Sequence, residues 1–211
     1  MAEPATALYR LGRFLFRITF TLLGRWEVSG REHVPTEGAV LLIANHTSYA
    51  DPPIVGTACP RSVYFLAKAE LFDYPVLGWL IRRTHAFPVR RGAGDREALR
   101  RCIRMLKGGK TVLVFPEGTR SPDGRLMPLE QGAAYIALAS GAAVVPVGID
   151  GADRILPRHS PVVRPAKLRV RFGPAVDLSP WSGRRLDRGA LRGATERMAE
   201  ALRALLPPHR R

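Results

Sequence analysis

Residues 38–44 (Gly-Ala-Val-Leu-Leu-Ile-Ala) form an uninterrupted apolar run that leads directly into a polar segment. A strand without polar positions must be covered on both faces, and such strands lie in the middle of mostly parallel sheets. Further strand candidates are residues 63–67, 84–89, 111–115, 143–149 and 168–172, and helical patterns occupy 75–82, 95–106 and 131–140. This alternation predicts an α/β fold, a single domain with a mostly parallel central sheet flanked by helices.

The N-terminal residues 8–26 predict an amphipathic helix. Its apolar positions are Leu11, Phe14, Leu15, Ile18 and Leu22, widened by Phe16 and Phe20, and a second face carries Arg10, Arg13 and Arg17. No apolar run reaches the roughly 20 residues of a membrane-spanning helix, so one interpretation is a helix that lies in the membrane interface. The alternative is an ordinary amphipathic helix that packs on the domain.

These patterns divide the chain into an N-terminal membrane-interface segment, residues 1–30, and a domain of residues 31–211. The domain ends in an arginine-rich amphipathic helix over residues 184–206. Because glycine is unfavourable inside a helix, a break is expected near Gly189 or Gly193.

The charge balance points to an anionic partner, since 33 Lys and Arg residues face 18 Asp and Glu, a formal net charge of +15. Nucleic acid, an anionic bilayer and a phosphorylated small molecule all satisfy this condition. A nucleic-acid-binding module is the weaker alternative, because aromatic residues make up only 8% of the chain and neither a zinc-finger nor an RNA-recognition signature is present. Cys59 and Cys102 lack metal-ligand spacing, which predicts neither a disulfide framework nor a zinc site.

The segment at residues 45–52 (Asn-His-Thr-Ser-Tyr-Ala-Asp-Pro) joins the apolar strand to a helix start. On one helix, His46 and Asp51 would point roughly 140° apart, so they meet only if the chain turns between them. A strand–loop–helix junction supplies that turn, and Asp51 can then accept from one imidazole nitrogen and leave the other as a base. We expect His46 to act as a base and to contribute little packing.

A second segment, residues 115–121 (Phe-Pro-Glu-Gly-Thr-Arg-Ser), also follows an apolar strand. Gly118 allows close backbone approach, and the guanidinium of Arg120 suits a phosphate. Ligands in open α/β sheets bind beyond the carboxyl ends of the strands. The two segments are therefore expected to face one crevice.

Together, Asn-His-x-x-x-x-Asp and Phe-Pro-Glu-Gly-Thr-Arg-Ser resemble the two signature blocks of the glycerolipid acyltransferases, in particular the 1-acylglycerol-3-phosphate (lysophosphatidic acid) acyltransferase group. Weaker blocks at residues 87–91 and 144–149 resemble two others in the same order, and the likeness covers about residues 38–150. The resemblance implies that His46 is the general base and Asp51 its orienting partner. It assigns the acceptor's glycerol phosphate to Arg90, Glu117, Gly118, Thr119 and Arg120.

The resemblance further implies transfer of a fatty acyl group from acyl-CoA or acyl carrier protein to the free hydroxyl of a lysophosphatidic acid-like acceptor, giving phosphatidic acid. The expected partners are the acyl thioester donor, the phosphate-bearing lipid acceptor and an anionic membrane surface at its cytoplasmic face, without nucleic acid, metal or cofactor. The sequence departs from the family at Pro88-Val89, where glycine-isoleucine is frequent, and at residues 129–132 (Leu-Glu-Gln-Gly), which lack a cation. Another lysophospholipid or lipid-linked acceptor therefore stays open, as do a hydrolase and an inactive, membrane-binding acyltransferase domain.

The residues present fit direct transfer rather than an acyl-enzyme. A thioester is already activated, so catalysis needs mainly a base, oxyanion donors and positioning, and imidazole with its ordinary pKa of roughly 6.5 suits the base role. There is no Gly-x-Ser-x-Gly motif, and neither cysteine lies beside His46 in sequence. We expect Ser48 and Ser121 to make hydrogen bonds within their loops.

Overall fold

A seven-stranded sheet forms the centre of the computed structural model, which describes residues 7–89, 96–157 and 162–211. The strands are β1 (Glu27–Ser29), β2 (Val40–Ala44), β3 (Val63–Lys68), β4 (Ala86–Val89), β5 (Thr111–Val114), β6 (Ala143–Asp150) and β7 (Arg169–Phe172). Their order is β1-β7-β6-β2-β5-β3-β4, with β7 antiparallel to β6 and the other paired strands parallel. The predicted mostly parallel sheet is confirmed.

Strand β2 lies between β5 and β6, and all five of its residues are buried. Its side chains alternate between the two faces of the sheet, as the period of a strand requires. Leu42 contributes to the core on one face, whereas Leu41 and Ile43 contribute to the core on the other. The uninterrupted apolar run is thus explained by two-sided burial.

Helices cover both faces of the sheet. They are α1 (Ala7–Gly24), α2 (Asp51–Ala58), α3 (Pro75–Arg83), α4 (Arg96–Lys107), α5 (Gly132–Ser140), α6 (Ala152–Ile155) and α7 (Arg188–Leu205). Buried side chains of α1 and α2 belong to one core, and those of α4, α5 and α7 belong to the core on the opposite face.

The structure corrects the sequence prediction at both ends of the chain. Helix α1 ends at Gly24, and residues 27–29 of the predicted N-terminal segment form β1. Helix α7 begins at Arg188, where Asp187 caps it by accepting from the backbone N–H of Ala190 at 2.8 Å. The helix continues through Gly189 and Gly193 without a break. A side chain at Gly193 would collide with the Trp181 ring, so this glycine permits close packing.

Helix α1 packs on the domain through one narrow stripe. Tyr9 and Phe20 are buried, the hydroxyl of Tyr9 accepts from the backbone N–H of Val63 at 3.0 Å, and Arg13 donates to the carbonyl of Cys59 at 2.5 Å. The predicted apolar positions Leu11, Phe14, Leu15, Ile18 and Leu22 point away from this stripe and are exposed. The helix is therefore docked on the domain and also presents its apolar face outward.

Within the described parts of the chain, no helix combines the length and the apolar character needed to cross a membrane.

Candidate active site

The side chains of His46 and Asp51 meet in the loop between β2 and α2. Nδ1 of His46 lies 2.8 Å from Oδ2 of Asp51, and the two residues are 6% and 0% exposed. The turn is closed by a hydrogen bond of 3.2 Å from the N–H of Asp51 to the carbonyl of Ser48. The contact predicted from the strand–loop–helix junction is present.

Asp51 holds the loop as well as the imidazole. Its Oδ2 atom also accepts from the backbone N–H groups of Thr47 at 2.7 Å and Ser48 at 2.8 Å. Because an ionised carboxylate only accepts hydrogen bonds, Nδ1 of His46 carries the hydrogen in this contact. Nε2 is then left with a lone pair, which is the form a general base requires.

His46 is also packed, which corrects the expectation that it contributes little packing. Its ring stacks on that of Phe115, with centroids 4.0 Å apart and planes 20° from parallel. Phe115 directly follows β5, the strand beside β2. Phe115, from the second sequence block, thus packs on one face of the imidazole, and Asp51 holds its Nδ1 edge by a hydrogen bond.

The second block also holds the backbone of His46. Oε1 of Glu117 accepts from the N–H of His46 at 2.6 Å, and Oε2 accepts from the N–H of Met127 at 2.9 Å. On the other side of His46, its carbonyl accepts from the N–H of Ser121 at 2.7 Å. Glu117 is buried and both its oxygens are engaged by backbone, so we revise its assigned role from acceptor binding to positioning.

Burial controls the charge of Glu117. It raises the pKa of this carboxyl to about 7, although the hydrogen bonds from Met127 and His46 pull the pKa down. The nearby Asp51 carboxylate adds to the increase. Burial outweighs the two N–H donors, so this carboxyl changes charge near neutral pH.

The remaining residues assigned from the second block lie near the protein surface, and Arg120 lies beside the His46 loop. Gly118 and Thr119 are exposed, and Gly118 has a φ of 69°, in the left-handed region that favours glycine. A side chain at Gly118 would also collide with the Glu130 carboxylate. The guanidinium of Arg120 lies over the exposed ring of Tyr49, 3.6 Å from its centroid.

Arg90, the remaining predicted phosphate ligand, lies outside the described residues. The strand predicted before it is present as β4 and pairs with β3 at the edge of the sheet. Of the two arginines predicted to bind phosphate, Arg120 is therefore the one within the described residues, and it lies beside the His46 loop.

Three further contacts at the site were not anticipated from the sequence. Tyr49 stacks with Arg120, Glu130 abuts Gly118, and the side-chain amide of Asn45 forms a pair of hydrogen bonds with the backbone of Ile149, at 2.8 and 2.9 Å. Asn45 thereby ties the His46 loop to β6, which contains the late hydrophobic block. The position of Asn45 directly before His46 was the one sequence signal for its role. Its partner Ile149 lies 104 residues away, so the contact itself could not be predicted.

Hydroxyl and thiol nucleophiles are engaged or buried. The Ser48 hydroxyl donates to the carbonyl of the distant Leu156 at 2.8 Å and, within its own loop, accepts from the N–H of Ala50 at 3.1 Å. The Ser121 hydroxyl donates to Asp123 at 3.0 Å, also within its loop. Both cysteines are buried, and burial raises the pKa of the Cys102 thiol to about 12 and also raises that of Cys59. Neither thiol has the thiolate character that a nucleophile needs.

Comparison with known proteins places this site in a family. The family model described as Acyltransferase matches residues 25–150. The crystal structure of the 1-acyl-sn-glycerophosphate acyltransferase PlsC from Thermotoga maritima matches with a TM-score of 0.75 and 29% sequence identity, over 97% of this chain and 83% of that one.

Curated relatives agree with this assignment. The 1-acyl-sn-glycerol-3-phosphate acyltransferase of Limnanthes alba is 30% identical over 76% of this chain and 58% of its own length. The lyso-ornithine lipid O-acyltransferase of Pseudomonas aeruginosa is 37% identical over 52% of this chain and 42% of its own. The chain thus spans about half the length of these relatives. The matched region includes both signature blocks and the strands that place them, and this chain belongs to the acyltransferase family.

Proposed function

We propose that the protein transfers a fatty acyl group from an acyl thioester to the free hydroxyl of a lysophosphatidic acid-like acceptor, giving phosphatidic acid. The observation that carries this proposal is the contact between His46 and Asp51, buried beside a second block that brings Arg120 to the same crevice. The names of the Limnanthes and Thermotoga relatives support the choice of acceptor.

In the proposed reaction, Nε2 of His46 takes the proton of the acceptor hydroxyl as its oxygen attacks the thioester carbonyl carbon. The carbonyl oxygen becomes an oxyanion, and the carbon–sulfur bond then breaks to give the new ester. The thiolate recovers the proton from the imidazolium and leaves as a free thiol. Asp51 stabilises the imidazolium, since its carboxylate is already bonded to Nδ1.

No covalent acyl-enzyme is needed in this reaction. The buried cysteines are poor nucleophiles, and the hydroxyls of Ser48 and Ser121 donate to other groups. We assign Arg120, with Gly118, Thr119 and Arg90, to the acceptor's phosphate, because guanidinium groups bind phosphate oxygens through paired hydrogen bonds.

A second acceptor class is favoured by one contact. The Glu130 carboxylate adjoins Gly118, in the segment that lacks the cation expected from the family resemblance, and a negative charge there opposes a dianionic phosphate. An acceptor whose head group carries an amino group would satisfy Glu130. The relative named as a lyso-ornithine lipid O-acyltransferase makes this class a specific alternative.

We further propose that the protein works at the cytoplasmic face of an anionic membrane, held there by the exposed apolar face of α1. Leu22 is 76% exposed, and Leu11, Phe14 and Leu15 are each more than half exposed. Arg10 and Arg17 are exposed on one side of this face, where they suit lipid phosphates.

An assay of thiol release tests the acyl transfer. Purified protein is supplied with palmitoyl-CoA or palmitoyl carrier protein and, separately, with lysophosphatidic acid, lysophosphatidylcholine and lyso-ornithine lipid in vesicles. We expect the fastest release with lysophosphatidic acid, and release at least about a hundredfold slower with His46→Gln. Preference for the ornithine lipid would select the second acceptor class, and thiol release without any acceptor would indicate a hydrolase instead.

A further inference from the structure

Helix α3 presents a second group of apolar side chains to solvent. Val76 is 81% exposed and Trp79 is 50% exposed, with Leu80 on the same side and Tyr74 just before the helix. Val76, Trp79 and Leu80 are spaced by three and four residues, so they form one face of the helix. Isolated exposed apolar residues are ordinary, but a clustered aromatic and aliphatic face marks an interaction surface.

The orientation of this face is fixed by the opposite side of the helix. At Gly78 the helix approaches the backbone carbonyl of Phe72 so closely that a side chain would collide with it. The same carbonyl accepts from Arg82 at 3.0 Å. Because Gly78 must face inward, the side of α3 that carries Val76 and Trp79 must face outward.

Helix α3 covers the same face of the sheet as α1. In the strand order, the connections from β2 to β3 and from β3 to β4 both move towards the β4 edge. Right-handed crossovers then place α2 and α3 on one face, and α1 packs against α2. At one end of α1, the ring of Tyr9 stacks on His85, which lies between α3 and β4, with centroids 4.5 Å apart.

We propose that α3 is a second membrane-binding element and that its partner is a bilayer surface containing anionic phospholipids. The inference rests on the proposed membrane contact of α1, whose apolar face is exposed on the same side of the domain. The guanidinium of Arg83 lies 4.9 Å from the centroid of the Trp79 ring. A cation over a tryptophan suits the interface, with the charge among phosphates and the ring at the acyl boundary.

Vesicle flotation tests the surface directly. The variant Val76→Gln/Trp79→Gln/Leu80→Gln removes the apolar face, and Tyr135→Gln, on α5 across the sheet, removes an exposed ring elsewhere. We expect the triple variant to bind vesicles of equal phosphatidylcholine and phosphatidylglycerol at least about tenfold more weakly, and Tyr135→Gln to bind like the wild type. Equal weakening in both variants, or in neither, overturns the proposal.

Tryptophan fluorescence gives a second readout that does not depend on a multiple substitution. If Trp79 enters the lipid, vesicles containing brominated acyl chains quench the wild type and Trp181→Phe more strongly than Trp79→Phe. Trp26, which stacks on Phe20 of α1, contributes equally to all three proteins. Trp181 packs against α7 at Gly193 and serves as the matched control. Quenching in Trp79→Phe that is as strong as in the wild type places Trp79 outside the bilayer and rejects α3 as a contact.

Failure of this inference is distinguishable from failure of the proposed reaction. The triple variant should keep wild-type thiol release with a short-chain, water-soluble lysophosphatidic acid and lose activity only on acceptor in vesicles. Unaltered flotation with normal acyl transfer overturns the membrane role of α3 and leaves the proposed reaction intact. Trp79-dependent flotation without transfer to any acceptor supports α3 and rejects the reaction.

Discussion

Oε1 of Glu117 accepts a hydrogen bond of 2.6 Å from the backbone N–H of His46, although the two residues lie 71 positions apart. The other Glu117 oxygen accepts from the N–H of Met127, in the loop that follows the second block. Glu117 therefore connects the two signature blocks and the loop that contains Met127. Its carboxyl is buried, and burial raises its pKa to about 7.

The first prediction concerns the pH dependence of stability. An ordinary glutamate ionises near 4.5, whereas Glu117 ionises near 7 in the folded protein, so the folded state binds more protons between these values. Its contribution to stability is complete below pH 4.5 and is lost as pH rises through 7. In Glu117→Gln, one of the two backbone N–H donors faces the side-chain NH₂ group instead of an accepting oxygen. This loss should lower the free energy of unfolding by about 1 kcal/mol at low pH.

Urea unfolding of both proteins between pH 5 and 8 provides the measurement. The free energy of unfolding of the wild type, relative to Glu117→Gln, should fall by about 3 kcal/mol over this range. A difference independent of pH would show that Glu117 is already ionised at pH 5.

The second prediction separates the two members of the His46–Asp51 pair. His46→Gln should lower kcat by about 10²–10⁴ because it removes the base, and it keeps more of the packing on Phe115 than alanine would. Asp51→Asn can still accept from His46, Thr47 and Ser48 with its amide oxygen, so the fold should persist while the charge that stabilises the imidazolium is lost.

Single-turnover acyl transfer and thermal unfolding measure these effects. We expect Asp51→Asn to retain a melting temperature near that of the wild type and to lose most of its turnover. Near-normal turnover in folded His46→Gln would rule out His46 as the base.

The third prediction tests acceptor recognition. Arg120→Ala should raise the KM for lysophosphatidic acid by roughly 10–100-fold, because it removes a charged hydrogen-bond donor, and should leave the KM for acyl-CoA nearly unchanged. Tyr49→Leu should raise the same KM about tenfold by releasing the stacked guanidinium, whereas Tyr49→Phe keeps the ring and serves as the control.

Arg90→Ala is expected to behave as Arg120→Ala does. An equal rise for both substrates would assign these arginines to the donor or to structure.

The fourth prediction concerns α1. Arg10→Glu/Arg17→Glu should weaken binding to anionic vesicles at low salt by more than about 2 kcal/mol, at about 1 kcal/mol for each lost arginine, and high salt should reduce the difference. Arg13 is unsuitable for this test because it donates to the carbonyl of Cys59. Flotation provides the readout, with Leu11→Gln/Leu15→Gln as a variant of the apolar face. If both double variants float like the wild type, α1 is only a packing element.

The fifth prediction concerns the C-terminal residues. Arg210 is buried, donates to both carboxylate oxygens of Asp153 at 2.8 Å and also contacts Asp150 at 3.2 Å. Its own carbonyl accepts from the N–H of Leu126, next to the Met127 that binds Glu117. Arg210→Met should lower the free energy of unfolding by about 2–4 kcal/mol because it leaves the buried Asp150 and the partly buried Asp153 with fewer partners.

Chemical denaturation measures this loss, and Arg203→Met, an exposed arginine of α7, is the control. A loss as small as that of the control would mean that the remaining arginines near Asp150, Arg154 and Arg169, suffice to compensate its charge.

The sequence by itself determined the features that depend on neighbouring residues. The apolar run at 38–44 predicted a strand buried on both faces, because each of its positions must be covered whichever way it points. The contact between His46 and Asp51 was also predictable, since five residues and a turn bring them together. The apolar face of α1 followed from helical spacing alone.

Only the tertiary structure decided which of these surfaces are covered and which distant groups meet. Residues far apart in sequence provide the partners of Glu117 and Asn45, and no local pattern names such partners. The spacing of apolar residues in α1 also left open whether they face the core. In the structure, the opposite side of α1 packs on the domain through Tyr9, Arg13 and Phe20. A helix can bury only one side against a single domain, so the apolar face is exposed.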